Sequence, residues 1–563
     1  MIALRSLLVA VAALLPSLVT ASPPDDTLFD LIIRGGRIVD GTGNPWYAGD
    51  LGIKGDRIAA VGLIPEDAET ARTIDATGLI VAPGFIDIHS HSDFVLFEDG
   101  AAESKIRQGV TTDILGEHTS GGPFAEPLEL TIDGQPVHIS TLADYFDAIE
   151  QSGSAINIAS YVGLGNIWQA VMGDSFDRPT EEQFQAMEAL IDQAMQDGAL
   201  GLSTMLMHPQ SLGTQTDDIV RLARVVAKHG GIYSSHIRTE GLGVLDSIAE
   251  AIAIGEQAGL PVDIIHLKIA EQTLWGRMPE IVAMIDAARA RGVDVQANVY
   301  PYTRGNNNLV SIIPPWAHEG GRDALLTRLA DPEIRPRLKQ DILKGIPGWY
   351  NHYLAVGGDW SRMLISERLS PTNARFEGQT MDVILAGLAA DRQPAPDALD
   401  LLFDFLIAEN GSIGCIYAHH TDEDMTLALR QPWCSVGSDG SALAISGPLR
   451  RGHPHPRNFG TFPRVLGVYV REQGLLTLEE AIRKMTSQNA LKVGLTDRGL
   501  LLPGLAADVT VFDPDQVIDR STYLEPFQYC DGITHVLVNG RLVLDSGSST
   551  GDRPGLALRP GRP

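Results

Sequence analysis

The chain has 563 residues, 44% of them hydrophobic, which suits one large domain with a smaller companion and is too long for a single compact domain. Its 71 acidic residues outnumber its 43 basic residues and give a formal net charge of −28. A surface this negative repels phosphate backbones, which argues against nucleic acid as a partner. The three cysteines are too few for a disulfide framework and lack the spacing of a metal site.

The N-terminus has the pattern of an export signal. Arg5 provides a positive start, residues 7–15 form an apolar run, and residues 19–21 resemble a small-residue cleavage site. A buried or membrane-spanning helix is the weaker alternative, because Pro16 interrupts the run and the run is too short to cross ~30 Å of hydrocarbon. We therefore predict a signal peptide over residues 1–21 and an exported protein, periplasmic or secreted, with no membrane partner after cleavage.

Short apolar segments separated by glycine turns occur near both ends of the chain. They cover residues 30–36, 50–53 and 57–62 in the first part, and residues 507–512 and 535–540 in the last part. Alternating residues with such turns are typical of small antiparallel sheets. We predict that residues 28–82 and 495–550 together form one small β-sandwich domain.

Between these parts, apolar strands alternate with amphipathic helices. The predicted strands are Gly84–His89, Val110–Gly116, Ile156–Tyr161, Ala199–Met205, Gly231–His236, Pro261–His266, Val293–Tyr300 and Cys434–Asp439. This alternation indicates parallel βαβ units, and eight of them close a (β/α)₈ barrel of the TIM type. The sequence thus predicts an α/β fold with a barrel over residues 83–494, whose active site lies at the C-terminal ends of its strands.

The seventh and eighth predicted strands are more than a hundred residues apart. This is far longer than an ordinary connection between a helix and a strand. We interpret residues 305–414 as a subdomain or lid inserted before the eighth strand.

Two histidines at the end of the first predicted strand are the most informative residues. Side chains at positions i and i+2 of a strand lie on one face, so His89 and His91 project together. Paired imidazoles suit a borderline cation such as zinc. A lone His-x-His is usually a pair of surface histidines, but this pair follows Pro83-Gly84 and ends an apolar strand, which favours a metal site.

The stretch from Pro83 to His91 resembles the metal motif of the amidohydrolase superfamily. The resemblance implies further ligands at later strand ends. His236 ends the fifth predicted strand and His266 the sixth, 30 residues further on, which is about one βα unit. Asp439 ends the eighth predicted strand. Each of these residues alone would be an ordinary buried polar residue, whereas all of them in barrel order indicate a metal centre.

Within the superfamily, the chain most resembles the N-acyl-D-amino-acid deacylases, also called D-aminoacylases. The shared motifs are His236-Ile237-Arg238-Thr239-Glu240, Tyr300-Pro301-Tyr302, Ser438-Asp439-Gly440, His455-Pro456-Arg457 and Gly460-Thr461-Phe462. The resemblance extends from about residue 28 to 545 and is weakest in the insert. It implies a zinc-dependent hydrolase that cleaves small-molecule N-acyl-D-amino acids to a carboxylate and a free D-amino acid.

The chain departs from this family at the end of the second strand, where relatives carry a metal-bridging cysteine. His118 stands at the cysteine position here, and Glu117 precedes it. A carboxylate bridges two cations through its two oxygens, whereas a neutral imidazole normally binds one. We therefore favour Glu117 as the bridge and keep His118 as the alternative, with one or two Zn²⁺ ions per chain.

The resemblance also implies a mechanism. Asp439 would take a proton from the attacking water and deliver it to the departing amine nitrogen. Arg238 and Arg457 are candidates to bind the substrate carboxylate, since guanidinium forms paired hydrogen bonds with carboxylates. Lys268 and Tyr302 are weaker candidates for the same carboxylate or for the tetrahedral oxyanion.

Other functions remain open at this stage. A hydrolase of cyclic amides, or a dipeptidase acting on D-residue dipeptides, would use the same strand-end ligands. The His-x-Arg-x-Glu and His-Pro-Arg motifs favour a substrate with a free carboxylate. A metal-loaded binding protein without catalysis is disfavoured, because binding alone requires no proton shuttle such as Asp439.

Overall fold

The computed structural model describes residues 28–560, except 133, 391, 393 and 395. The predicted signal peptide, residues 1–21, lies outside this part of the chain. Within it, no helix is long and apolar enough to cross a membrane.

Strands from both chain ends form one nine-stranded sheet. They are Leu31–Ile38, Tyr47–Lys54, Arg57–Gly62, Thr73–Asp75, Ile80–Pro83, Val509–Phe512, Ile533–Val538, Arg541–Asp545 and Ser548–Ser549. The two ends meet where Val509–Phe512 pairs antiparallel with Ile80–Pro83. Ile33, Leu51 and Leu537 lie in one buried apolar cluster, so the two ends share a hydrophobic core.

Eight parallel strands follow the order of a (β/α)₈ barrel. Their bounds are Phe85–Asp87, Val110–Leu115, Asn157–Ser160, Gly201–Met205, Ile232–His236, Val262–Ile264, Val295–Val299 and Cys434–Val436, and we number these barrel strands one to eight. Strands one to three form one sheet, while Val162–Gly163 and strands four to eight form another. A parallel bridge between Ser90 and Gly440 links the first and eighth strands. The predicted fold class is therefore observed.

Amphipathic helices connect these strands. Their bounds are Val95–Glu98, Glu103–Ile106, Leu142–Ser152, Leu164–Met172, Glu181–Asp197, Thr216–Lys228, Val244–Ala258, Met278–Ala290, Asp422–Leu429, Arg457–Arg464, Leu478–Met485 and Ser487–Lys492, with a π-helix at Val465–Glu472 and short 3₁₀ turns at Pro209–Gly213 and Gln272–Leu274. Local signals set their ends: the Thr180 side chain accepts a hydrogen bond from the Gln183 amide, and Gly198 ends the same helix in the left-handed conformation. A separate hairpin, Leu128–Ile132 with Gln135–Ile139, was not predicted.

The insert before the eighth barrel strand has its own sheet and core. Its antiparallel strands are Gly305–Asn308, Met363–Ile365 and Gly414–Tyr417, its helices are Gly321–Ala330, Arg335–Lys344, His352–Ala355, Met381–Ala389 and Ala398–Ala408, and its 3₁₀ turns are Leu309–Ile312, Pro315–His318, Trp360–Arg362 and Ala374–Phe376. Leu338, Met363 and Phe403 pack in an apolar cluster distinct from that of the barrel. The last strand of this sheet continues three residues beyond Gly414, the predicted end of the insert.

Candidate metal centre

The side chains just after the first barrel strand point alternately in two directions. Ser90 and Ser92 point inward, and each donates a hydrogen bond to Asp113 Oδ2, at 2.6 and 2.7 Å. His89 and His91 point the other way, and their ring centroids are 5.2 Å apart. The strand ends at Asp87, earlier than predicted, yet the predicted pairing of the two imidazoles is present.

A buried lysine fixes this end of the barrel. Lys105 is fully buried, and its Nζ lies 2.7 Å from Asp87 Oδ2 and 3.4 Å from Asp113 Oδ2. The same Nζ donates to the Gly440 carbonyl oxygen at 3.2 Å. A buried ammonium needs such partners, because an unpaired charge in the interior is costly. Lys105 thereby holds the first, second and eighth strands in a fixed relation.

Glu117 lies between two pairs of histidines. Its Oε2 is 2.6 Å from His89 Nε2 and 3.1 Å from His91 Nε2. Its Oε1 is 2.8 Å from His236 Nδ1 and 3.9 Å from His266 Nε2. Each carboxylate oxygen thus faces one histidine pair.

His118 is directed elsewhere. Its backbone has φ of 57°, and its ring lies 4.7 Å from the ring of His208, centroid to centroid. Burial and the neighbouring His208 hold the pKa of His118 well below its usual range, and burial lowers the pKa of His208 to about 4. The structure therefore places Glu117, and not His118, among the clustered ligand atoms.

Asp439 lies beside the first histidine pair, His89 and His91. Its Oδ1 is 3.0 Å from His91 Nε2 and 3.8 Å from His89 Nε2, and Arg457 Nη1 donates to its Oδ2 at 2.6 Å. Burial alone would raise the pKa of this carboxyl, but the Arg457 guanidinium and the nearby imidazoles hold it well below its ordinary value. Asp439 is thus positioned both beside the ligand atoms and beside a cation.

Two groups of side chains are arranged to hold metal ions. One comprises His89, His91, Glu117 and Asp439, the other Glu117, His236 and His266, and the ligand atoms within each group lie within 4.8 Å of one another. Imidazole nitrogens with carboxylate oxygens form a donor set that suits zinc. His89 Nδ1 and His236 Nε2 are buried and have no hydrogen-bond partner among the residues described. The donor set therefore fits the predicted metal centre.

Sequence reasoning missed the role of Glu240. Its carboxylate lies 3.0 Å from His266 Nδ1, which leaves His266 Nε2 facing Glu117. A carboxylate behind a ligand histidine fixes the orientation and tautomer of the ring. The signal was present, since Glu240 is the last residue of the His-x-Arg-x-Glu motif.

Three of the four predicted substrate contacts, Arg238, Lys268 and Tyr302, are paired with other groups of the protein, and their role in substrate binding stays a prediction. Arg238 Nε and Nη2 donate to the Glu250 carboxylate at 2.9 and 2.8 Å. Lys268 Nζ donates to Glu240 Oε1 at 2.5 Å and to the His266 carbonyl oxygen at 2.9 Å. Tyr302 is buried, and its hydroxyl donates to Asp519 Oδ2 at 3.5 Å. In the described part of the chain, Arg238, Lys268 and Tyr302 are not among the residues that line the cavity above the histidines.

A cavity of about 670 Å³ opens above the histidines. Arg457 lines it, as predicted for a substrate contact, together with the metal-ligand candidates His91, Glu117, His236, His266 and Asp439. The lining side chains that the sequence did not indicate are Asp93, Phe94, Val95, Thr119, Met205, His208, Asn306, Asn307, Asn308, Glu367, Ser441 and Asn458. These residues come from loops after several barrel strands and from the insert.

Curated proteins similar to this chain cover nearly its whole length. A D-aminoacylase of Alcaligenes xylosoxydans xylosoxydans is 34% identical over 95% of this chain and 99% of its own. An N-acyl-D-glutamate deacylase of the same organism is 35% identical over 94% of this chain and 96% of its own.

Solved structures are also similar to this chain over nearly its whole length. The N-acyl-D-glutamate deacylase of Bordetella bronchiseptica, complexed with zinc and a phosphonate inhibitor, has a TM-score of 0.77 and 33% identity, covering 95% of this chain and all of its own.

The amidohydrolase family model matches residues 72–303 and 426–544, so it matches both parts of the barrel and leaves out the insert. Because the family model matches more than half of the chain and near-full-length relatives share a third of its residues, the chain belongs to the amidohydrolase family.

Proposed function

We propose that this protein is a metal-dependent hydrolase that cleaves the amide bond of N-acyl-D-amino acids, releasing a carboxylate and a free D-amino acid. The observation that carries the proposal is the position of Glu117 between two histidine pairs, in a chain similar over 95% of its length to a D-aminoacylase. A cluster of four histidines and two carboxylates beneath a cavity is suited to hydrolysis, and Arg457 in its wall is suited to an anionic substrate.

Zinc is the proposed metal, in one or two ions per chain. Glu117 is the residue that would contribute to both groups, His236 and His266 would complete the deeper one, and His89 and His91 the other. When bound, a zinc ion supplies a water of lowered pKa and polarises the amide carbonyl.

The protein's own residues would move the proton and bind the substrate. Asp439 would accept the proton of the attacking water and deliver it to the amine nitrogen as the C–N bond breaks. Arg457 Nη1 stabilises the ionised form of this carboxylate at 2.6 Å. Arg457 Nε is buried without a hydrogen-bond partner in the part of the chain described, so it retains donor capacity for the substrate carboxylate.

A turnover screen tests the proposed function. Zinc-loaded protein would be assayed with N-acetyl and N-formyl D- and L-leucine, with a hydantoin, and with a D-residue dipeptide, alongside the chelator-treated protein. We expect turnover of the linear N-acyl-D compounds that is lost with the metal. Faster turnover of the cyclic amide or the dipeptide would replace the proposed substrate class, and turnover that survives metal removal would contradict the mechanism.

Replacing His236 or His266 by alanine should remove metal and activity together. Each substitution leaves the deeper group with two ligands in place of three, which is too few to hold a zinc ion firmly. Elemental analysis of the dialysed variants should show a loss of bound zinc, and turnover should fall with it. His229→Ala is a matched control, because His229 pairs with Asp192 on the surface. Full zinc occupancy in either site variant would defeat this ligand assignment.

We also propose that the protein is exported. Support comes from Arg5 and the apolar run of residues 7–15, followed by small residues before Ser22. N-terminal sequencing of the protein recovered from the periplasm or medium should begin near Ser22. An intact Met1 on the mature protein would refute cleavage.

A further inference from the structure

The insert supplies one wall of the cavity mouth. Asn306, Asn307 and Asn308 come from its first strand, and Glu367 follows its second strand, Met363–Ile365. The Ser366 hydroxyl donates to Asn306 Oδ1 at 2.6 Å, and the Ser366 amide donates to the Gly414 carbonyl oxygen at 2.9 Å. These bonds fix the segment that carries Glu367. We call Asn306, Asn307, Asn308 and Glu367 the insert rim.

Glu367 brings an unpaired negative charge to this rim. Partial burial raises the pKa of its carboxyl and Arg451 opposes that rise, while no hydrogen bond contributes from the residues described. Arg451 is itself engaged, because its Nη1 and Nη2 donate to the Glu98 carboxylate at 2.8 and 2.9 Å. Neither Arg451 nor any other lysine or arginine apart from Arg457 lines the cavity in the described part of the chain.

The charged side chains at the histidine end of the cavity differ from those at the insert rim. Arg457 is the fixed positive side chain in its wall, and it is paired with Asp439 next to the histidines. Asp93, a further carboxylate of the lining, interacts with His91 and so lies at the same end. A bound metal ion would add positive charge at the histidine end, which suits the carboxylate that all N-acyl amino acids share. The insert rim stays negative and offers amides as additional hydrogen-bond partners.

We propose that the insert rim selects the substrate by charge, disfavouring an anionic distal substituent and accepting a neutral polar or cationic one. The proposal rests on the proposed function and specifies its substrate class. The substituent that reaches the rim is either the amino-acid side chain or the acyl group. Two unit charges of the same sign at a partly desolvated rim repel each other more strongly than in bulk water, so Glu367 disfavours a second carboxylate placed beside it.

The test compares matched substrates that differ in charge at nearly constant size. N-acetyl-D-glutamine and N-acetyl-D-glutamate probe the side chain, and N-butyryl-D-leucine and N-succinyl-D-leucine probe the acyl group. With zinc-loaded full-length protein, we expect kcat/KM of the anionic member to be roughly tenfold lower in at least one pair, and that pair identifies which substituent reaches the rim. High salt should reduce the difference, because exposed charges are screened.

Glu367→Gln tests whether this residue causes the discrimination. We expect the ratio within the sensitive pair to fall to about twofold or less, because kcat/KM of the anionic member rises once the negative charge is removed. Glu333→Gln is the control, since Glu333 is an exposed carboxylate of the same insert away from the cavity. Equal ratios for both variants, or a wild-type preference for the anionic members, would overturn the inference alone. Absence of turnover even for the neutral members would overturn the proposed function with it.

Discussion

Replacing Asp439 by asparagine is expected to reduce turnover of an N-acyl-D-amino acid by roughly 10²–10⁴-fold, the usual contribution of a general acid–base group. Asparagine keeps the size of the side chain and its hydrogen bond to His91, but it cannot accept a proton. The deeper group, Glu117, His236 and His266, contains no atom of Asp439, so a metal ion should remain there. Steady-state kinetics and elemental analysis of the same sample check both parts.

Asp519→Asn is a matched control for this substitution. Asp519 is also a buried carboxylate beside an arginine, since Arg464 Nη1 lies 3.2 Å from its Oδ2, yet it does not line the cavity. The control should retain wild-type turnover. If Asp439→Asn also retained it, another group would have to move the proton. Loss of all bound metal in Asp439→Asn would instead show that Asp439 is primarily a metal ligand.

The parts of the site predictable from sequence are those set by strand geometry. His89 and His91 project together because side chains alternate, and the same alternation turns Ser90 toward Asp113 and Lys105. His236 ends the fifth barrel strand, and His266 lies two residues beyond the sixth, because a barrel brings the C-terminal ends of its strands to one face. Such positions depend on local pattern and strand order, and both are present in the sequence.

The partners of the predicted substrate contacts were harder to predict, because other elements of the fold supply them. Nothing local to Arg238 shows that Glu250, one helical segment later, binds its guanidinium. Tyr302 is directed to Asp519, 217 residues further along the chain. An arginine or tyrosine near a ligand motif is therefore a weak indication of a substrate contact, because a long side chain pairs with whichever carboxylate the tertiary fold supplies.

For the insert, too, the sequence indicates the local structure but not the contacts with the rest of the fold. Its length predicted a separate subdomain, and the structure shows a sheet and an apolar core for it. Its contribution to the cavity through Asn306 and Glu367 depends on how its sheet is placed over the barrel. No periodicity or motif in these residues indicates that contact.

Glu117→Ala should lower metal affinity far more than His118→Ala. Glu117 contributes an oxygen to each of the two ligand groups, so its loss weakens both of them. Substitution of residues that merely support metal ligands typically costs 10–100-fold in affinity, and we expect more than about 100-fold for Glu117→Ala. For His118→Ala we expect less than about tenfold, because the His118 ring packs against His208. Equilibrium dialysis with zinc, followed by elemental analysis and turnover assays, measures both effects.

Glu117→Gln separates the charge of this residue from its shape. The amide retains the size of the carboxylate but offers one neutral oxygen, so it can serve one histidine pair and not both. We expect it to bind no more than one zinc ion per chain, while the far-ultraviolet circular dichroism of the wild type is preserved. Two firmly bound ions in Glu117→Gln would show that the carboxylate does not join the two groups. A larger loss of metal in His118→Ala than in Glu117→Ala would transfer the bridging role to His118, and with it the position that the cysteine occupies in the family this chain resembles.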